Sequence, residues 1–330
     1  PGKRIVAITF TNKAADEMKS RILTHLASGE RTKESEGGLP FLGTFHAFGA
    51  RILRAEAEKI GRTRGFAIFD GSDAEKAVKE VMKKLGIEKE KLSPSEAKWK
   101  IGKVKNELLE PADLDDDEVF LETFGGYEAS LARQNALDFD DLLEKTYRLL
   151  ESDREVRERY LNAYDHILVD EYQDTNTVQY RLVKLLAARH RNVSVVGDDA
   201  QSIYGFRWSD FRNFLNFERD WPEARVVVLD ENYRSSATIV RAASAVIENN
   251  KEQRKKSLWT RNPDGEPILV AEARDAEDEA ISVVERVAGF GAGKTAILYR
   301  TNAQSRAIEQ ALIYAGTPYE VFGGLRFYDR

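Results

Sequence analysis

His166-Ile-Leu-Val-Asp-Glu171 and Val193-Ser-Val-Val-Gly-Asp-Asp199 decide how this chain folds. Each is a short apolar run that stops in carboxylates, the pattern of a buried strand with an acidic tip. In an open parallel sheet, ligands bind at the carboxyl ends of the strands, so both tips are expected to face one crevice. The first run continues as Tyr172-Gln173-Asp174-Thr175-Asn176 and the second as Ala200-Gln201-Ser202-Ile203-Tyr204. An Asp-Glu pair at such a tip suits a Mg²⁺ ion and a polarised water, and a nearby Gln can sense a terminal phosphate. Asp170, Glu171 and Gln201 are therefore candidates for the hydrolytic half of a nucleotide site. Acids after apolar runs are also common as solvated strand ends. The second acidic tip, with Gln173 and Asp174, tilts the reading toward catalysis.

Outward from these strands the chain alternates strand and helix. Arg4 to Phe10 reads as a buried strand, and Thr11-Asn12 offers a cap for a helix through Ala14, Met18, Ile22 and Leu26. Residues 28–40, charged and Gly-bearing, read as a loop. Gly43-Thr44-Phe45-His46 then lies between a short apolar strand and an amphipathic helix carrying Phe48, Ile52 and Leu53. From about Arg51 to Asp165 helical periodicity dominates, with Ser72 and Ser93 as caps and Gly86 as a stop. Alternation resumes at His166 and runs through a strand at Arg225–Leu229 and its following helix. After the basic stretch 251–265 a second α/β unit is expected, with strands at Ile268–Ala271 and Ala296–Tyr299. The expected class is α/β with a parallel sheet, divided as 1–50, 51–165 (a mainly helical insertion), 166–235 and 236–330.

Composition sets limits. The 330 residues leave room for two or three domains, and 42% apolar with 32% charged residues fits a soluble protein. No apolar run approaches the ~18 residues of a membrane helix. With no cysteine, disulfides, thiolate zinc sites and Cys-ligated clusters are excluded, which is consistent with a reducing cytoplasm. A net charge of −6 argues against general polyanion binding, so any nucleic acid would be held in a local groove with aromatic stacking.

Other stretches are more ambiguous. In Asn232-Tyr-Arg-Ser-Ser236, Arg234 can neutralise phosphate charge and Tyr233 offers a face to a base. Taken alone, the segment reads better as a serine-capped helix start. Lys251 to Lys256 reads as a solvated charged face, and the four histidines show no metal spacing. Ala288-Gly-Phe-Gly-Ala-Gly-Lys-Thr295 imitates a phosphate-binding loop. Such a loop needs a strand before and a helix after; here a helix is expected before and a strand after, so it is rejected.

Taken together, the motifs resemble those of the UvrD/Rep/PcrA group of superfamily 1 DNA helicases over essentially the whole chain. Ile8-Thr-Phe-Thr-Asn-Lys-Ala-Ala-Asp-Glu-Met18 is similar to motif Ia and Gly43-Thr-Phe-His46 to motif Ib. Val169-Asp-Glu-Tyr-Gln-Asp-Thr-Asn176 resembles motif II, Val196 to Arg207 motif III, and Glu231-Asn-Tyr-Arg-Ser235 motif IV. Ala296 to Arg306 and Gly323 to Phe327 resemble the opening of a second motor domain.

The resemblance implies a RecA-like P-loop NTPase motor with an α-helical insertion and the start of a second RecA-like domain. It implies ATP and Mg²⁺ as cofactors, with Asp170 on the metal, Glu171 activating water, Gln201 on the γ-phosphate, Arg234 as an arginine finger and Tyr233 on adenine. Phe10, Tyr204 and Phe206 would stack on bases of single-stranded DNA, with Thr44, His46 and Arg207 near its backbone. The implied activity is ATP-driven 3′ to 5′ movement on single-stranded DNA with duplex unwinding. The implied partners are single-stranded DNA, its junctions with duplex, and repair or replication proteins; the implied state is a monomer or a DNA-induced dimer.

One departure is local: where relatives often carry Trp-Arg-Gly-Ala, this chain has Phe206-Arg-Trp-Ser209, so Trp208 replaces a small residue. A Walker A loop upstream and motifs V and VI downstream are not in the sequence, so it reads as an internal piece expected to be inactive alone. Two rival readings are the motor part of a helicase–nuclease and a degenerate motor that only binds single-stranded DNA.

Overall fold

The computed structural model describes residues 2–27, 38–88, 90–291, 293 and 295–322. The chain divides into two units, one formed by Pro1–Leu229 with Ile247–Ser257 and the other by Asp230–Val246 with Leu258–Arg330.

The first unit begins with β1 (Ile5–Thr9), α1 (Asn12–Ala27), β2 (Phe41–Thr44) and α2 (Phe45–Ala55). A helical stretch follows: β3 (Ala67–Phe69), α3 (Gly71–Leu85), α4 (Pro94–Glu107), α5 (Pro111–Leu114), α6 (Glu118–Arg133) and β4 (Ala136–Asp138). It continues with α7 (Asp141–Ser152), α8 (Arg154–Ala163), β5 (His166–Val169), α9 (Thr177–Ala187), β6 (Val193–Val195), α10 (Arg212–Leu215) and α11 (Phe217–Asp220).

Four strands form one parallel sheet in the order β2-β1-β5-β6. Ile5 pairs with His166 and Ile167 with Val193, so the two acid-tipped strands are neighbours and end on the same edge. The sequence reading of β1, β5 and β6 as short apolar strands therefore holds. Their burial is one-sided in β5, where Ile167 and Val169 are buried while Leu168 is 41% exposed. The buried face packs with residues of α2, α7 and α9 in a core that includes Val6, Ile8, Phe48, Leu143, Val178 and Leu182. Each such side chain contributes roughly 1.5–3 kcal/mol on burial.

Ile52, Leu53, Leu142, Leu143, Leu149 and Leu150 all belong to the sheet's core, so α2 and α7 pack on the sheet. A second, smaller core joins α3, α4 and α6 through Val78, Met82, Ile101, Phe120, Tyr127 and Leu131. It also holds a parallel β3–β4 pair that helical periodicity did not reveal. Ser93 caps α4, with Pro94 in the first turn, and Gly86 closes α3 at φ +69, as the sequence indicates. Ser72 is not a cap. Asp70 fills that role, accepting from the Ser72 and Asp73 N–H groups in a capping box.

In the second unit, α13 (Ala276–Phe290) packs on α14 (Ser305–Tyr314); α12 (Ala237–Ile247) follows the Asn232 segment. The strands expected at Arg225–Leu229, Ile268–Ala271 and Ala296–Tyr299 are absent among the described residues, where these stretches join no sheet. Val270 and Leu298 are each 90% exposed. Apolar, β-prone residues become a strand only when a neighbour completes the ladder, and none does here.

Candidate active site and nucleic-acid interface

At the tip of β5 the chain turns sharply. Asp170 is tied to β1 by its N–H, which donates to Ile8 O at 2.9 Å. Glu171 adopts φ +52, a left-handed conformation uncommon outside glycine, and its side chain is exposed. Tyr172 then donates from its backbone to Val196 O at 2.9 Å, binding this turn to the end of β6. The two acidic tips thus lie side by side.

Gln173 is 1% exposed and organises the space between them. Its Nε2 donates to Glu171 Oε2 at 2.9 Å and to Asp174 Oδ2 at 3.4 Å, while its Oε1 accepts from Asp198 N at 3.0 Å. Gly197 makes this possible, because a Cβ there would sit 2.6 Å from Gln173 Oε1 and 3.0 Å from the Phe214 ring. Asp174 is buried, with Oδ1 lacking any partner, and burial together with the Glu171 charge pushes its carboxyl up to about 6. Asp170 is also raised, first by burial and then by Glu171. None of these three carboxylates has an ion-pair partner among the described residues.

That uncompensated charge is what a cation would relieve. No cluster of three metal-ligating side chains is preformed among the described residues. Mg²⁺ characteristically takes one or two carboxylates plus waters and phosphate oxygens, so Asp170 suits the role of a single protein ligand.

At the second tip Asp198 is neutralised. Burial works to raise its pKa, but the Lys256 ammonium and the Gln201 amide hold it below the usual carboxylate range. Gln201 is exposed and donates from Nε2 to Asp198 at 2.8 Å. Lys256 comes from the run read as a solvated face, and Arg254 beside it donates from its backbone to Asp199 at 3.0 Å. That pairing was missed because the partners are 58 residues apart.

Phe10, just past β1, packs against Tyr204 at 5.1 Å between ring centroids, and Tyr204 meets Phe206 at 5.9 Å. The Arg207 guanidinium lies 5.6 Å from both the Tyr204 and Phe206 rings. The structure therefore brings four of the candidate interface residues into one stripe, with Phe206 72% exposed. His46 sits against Phe139 at 4.8 Å, and burial plus the Arg207 charge push it down to about 4, so it is neutral near pH 7. Thr44 is buried and caps α2, its Oγ1 accepting from Ala47 N at 3.2 Å.

Tyr233 and Arg234 belong to the second unit, and both are exposed. Tyr233 donates its hydroxyl to Glu231 at 2.6 Å. Asn232, rather than Ser235 or Ser236, organises this turn, accepting from the Arg234 and Ser235 N–H groups at 3.0 and 2.8 Å. The rejected loop begins inside the last turn of α13, so a helix leads into it where a phosphate loop needs a strand. Lys294 itself, like Gly323 to Phe327, lies outside the described residues.

One cluster escaped the sequence reading. Lys105 of α4 is 2% exposed and contacts Asp138 and Asp141 at 2.8 Å, with Glu128 Oε1 at 2.7 Å off the hydrogen-bonding line. Tyr127 donates to Asp138 at 2.8 Å, and Lys145 pairs with Glu128 at 2.9 Å. Burial alone would lower the Lys105 pKa, but Asp138, Asp141 and Glu128 raise it well above the ordinary lysine value. The adjacent Asn106 accepts from Asn176 at 2.6 Å and donates to Asp140 at 2.8 Å, joining the acidic turn to α4. The available signal was Lys105 falling on the apolar stripe of Ile101, Val104 and Leu108.

A parallel sheet between helices, with carboxylates at adjacent strand tips, defines a mixed α/β protein of the RecA-like class. More particularly, residues 2–222 match the UvrD/REP helicase N-terminal domain and residues 227–330 the UvrD-like helicase C-terminal domain, so the chain belongs to the UvrD/Rep helicase family. It is 44% identical to proteins named ATP-dependent DNA helicase PcrA from Staphylococcus aureus (strain Mu50) and Staphylococcus epidermidis (strain RP62A). Each alignment covers 99% of this chain and 45% of the relative, so the chain spans less than half the length of those proteins. No helix among the described residues is long and apolar enough to cross a membrane.

Proposed function

We propose that the protein carrying this chain is an ATP-dependent motor that moves 3′ to 5′ on single-stranded DNA and opens duplex at junctions. The observation that carries this reading is the pairing of two features on neighbouring strands. Uncompensated carboxylates stand at the tip of β5, and an aromatic–arginine stripe begins at the end of β1. Family membership and the ATP-dependent helicase relatives point the same way.

In this reading Asp170 would hold Mg²⁺, which would supply charge neutralisation when bound, and Glu171 accepts the proton of the attacking water. Gln201 contacts the γ-phosphate after giving up its bond to Asp198. Arg234 neutralises charge on the transferred group, and Tyr233 stacks on adenine. Phe10, Tyr204 and Phe206 stack on bases, which is sequence-tolerant and so compatible with movement along any strand. Arg207, Thr44 and neutral His46 lie toward the sugar–phosphate backbone. We assign residues 1–50 and 166–235 to the first motor domain, 51–165 to its helical insertion and 236–330 to the second. Repair or replication proteins are the expected protein partners, and the motor acts as a monomer or a DNA-induced dimer.

The test is Glu171→Gln in the whole protein. Binding of labelled ATP should persist while DNA-stimulated hydrolysis falls by about 10²–10⁴-fold. Near-normal turnover would remove Glu171 from the mechanism. DNA binding without any ATP binding in the parent protein would favour a passive single-strand-binding module.

A further inference from the structure

The turn that presents Phe206 ends in an unusual residue. Trp208 sits at φ +66, the left-handed region that bulky side chains rarely occupy. Such a conformation persists only where the surroundings over-determine it. The surroundings here are α4. The Trp208 ring lies 4.7 Å from that of Trp99, tilted by 60°. One turn further along the same face, Gly102 leaves backbone bare, and a Cβ there would lie 3.7 Å from Trp208 Nε1 and 3.4 Å from Asp140 Oδ2. The next turn of α4 carries Lys105 and Asn106, so the helix face that receives Trp208 is itself bonded into the buried ionic cluster.

We propose that Trp208 and Trp99 form a clamp that fixes the Phe206–Arg207 turn against α4, making both tryptophans positioning residues for single-stranded nucleic acid. This rests on the reading of Phe206 as a stacking platform. The turn's own backbone bonds, Arg207 N to Tyr204 O at 2.8 Å and Trp208 N to Gly205 O at 3.1 Å, hold its shape but not its place. Its place is set from both ends. Tyr204 rests on Phe10, and Trp208 rests on Trp99. Phe206 stands between the two anchors, exposed. A ring that must be ordered on binding loses affinity to that ordering, and a ring already ordered does not. Lys103 lies 5.6 Å from the Trp99 ring, so a cation further engages the side chain that receives Trp208.

The experiment titrates the whole protein with labelled oligo(dT) for Trp208→Gly, Trp99→Ala and the double variant. Each single change should weaken binding roughly three- to tenfold, and the double change no more than either alone. Trp99→Phe should restore most of the affinity. In near-UV circular dichroism, the signal of the coupled indole pair should vanish equally in all three clamp-breaking variants, while far-UV spectra confirm an intact fold. In DNA-stimulated hydrolysis, the DNA concentration for half-stimulation should rise with kcat unchanged. Glycine removes the backbone strain at position 208, so affinity equal to or tighter than wild type in Trp208→Gly overturns the clamp. Additive losses overturn it as well. Phe206→Ala separates the two layers of the argument. Unchanged affinity in that variant refutes the platform itself, whereas weakened affinity alongside a normal Trp208→Gly refutes only the clamp.

Discussion

Two acidic clusters in the first unit have opposite electrostatic characters. Around Lys105, three carboxylates meet two ammonium groups and a phenol, and Asp138 and Asp141 are buried almost completely. At the tip of β5, Glu171 and Asp174 share one amide side chain, and neither they nor Asp170 has a cation partner among the described residues. The first arrangement pairs every carboxylate with an ammonium group and joins four elements. The second leaves its carboxylates without a cation, which a protein tolerates where a ligand will later supply the missing partner. Burial of an acid therefore does not distinguish structure from function; the charge balance around it does.

The largest test of this contrast is removal of the cation at the balanced cluster. Lys105→Met leaves Asp138, Asp141 and Glu128 with Lys145 alone, and should destabilise the protein by about 3–5 kcal/mol in denaturant unfolding. A loss under about 1 kcal/mol would mean the cluster rearranges freely, and the contrast would collapse.

The unbalanced cluster should respond in the other direction. The Asp174 carboxyl is held at about 6, above its ordinary 3.8, so between those values the folded state binds more protons than the unfolded one. Stability from this group is then fully present below about pH 4 and is lost as pH rises through 6. Asp174→Asn should abolish that slope and leave the variant more stable near pH 7 by on the order of 1–3 kcal/mol. His46, held near 4, contributes the opposite slope between 4 and 6.5, because its stability is lost as pH falls. The difference between variant and parent across pH is therefore the quantity to measure. A variant less stable than its parent at neutral pH would show that Asp174 is compensated after all.

The smallest effect concerns the edge of the helical layer around Lys105. Asp70→Ala should cost about 1 kcal/mol of stability through the lost cap of α3, while Ser72→Ala should be nearly neutral. Equal effects would return Ser72 to the role that the sequence suggested.

That last pair illustrates what could be read in advance. Short apolar runs placed β1, β5 and β6, and Ser93 marked the start of α4, because these signals are local. Asp70 and Ser72 are both acceptable caps within two residues, and only backbone geometry separates them. Arg225–Leu229 and Ile268–Ala271 have strand composition, yet pairing depends on a neighbour that composition cannot reveal. The aromatic stripe was legible residue by residue through resemblance. Lys256 with Asp198, and Lys105 with Asp138, were not, since each pair closes over tens of residues.

The sheet order also dictates a schedule. β1 lies between β2 and β5, and its register partner for Ile5 is His166, 166 − 5 = 161 residues later. At roughly 5–20 residues per second on a ribosome, β1 waits about 8–30 s for that neighbour to be made. The elements α3 to α6, built largely from nearer contacts, are fully synthesised within that interval. A nascent chain of this protein thus passes through a stage in which the helical layer can collapse while the open edge of β1 still needs protection from pairing with other chains.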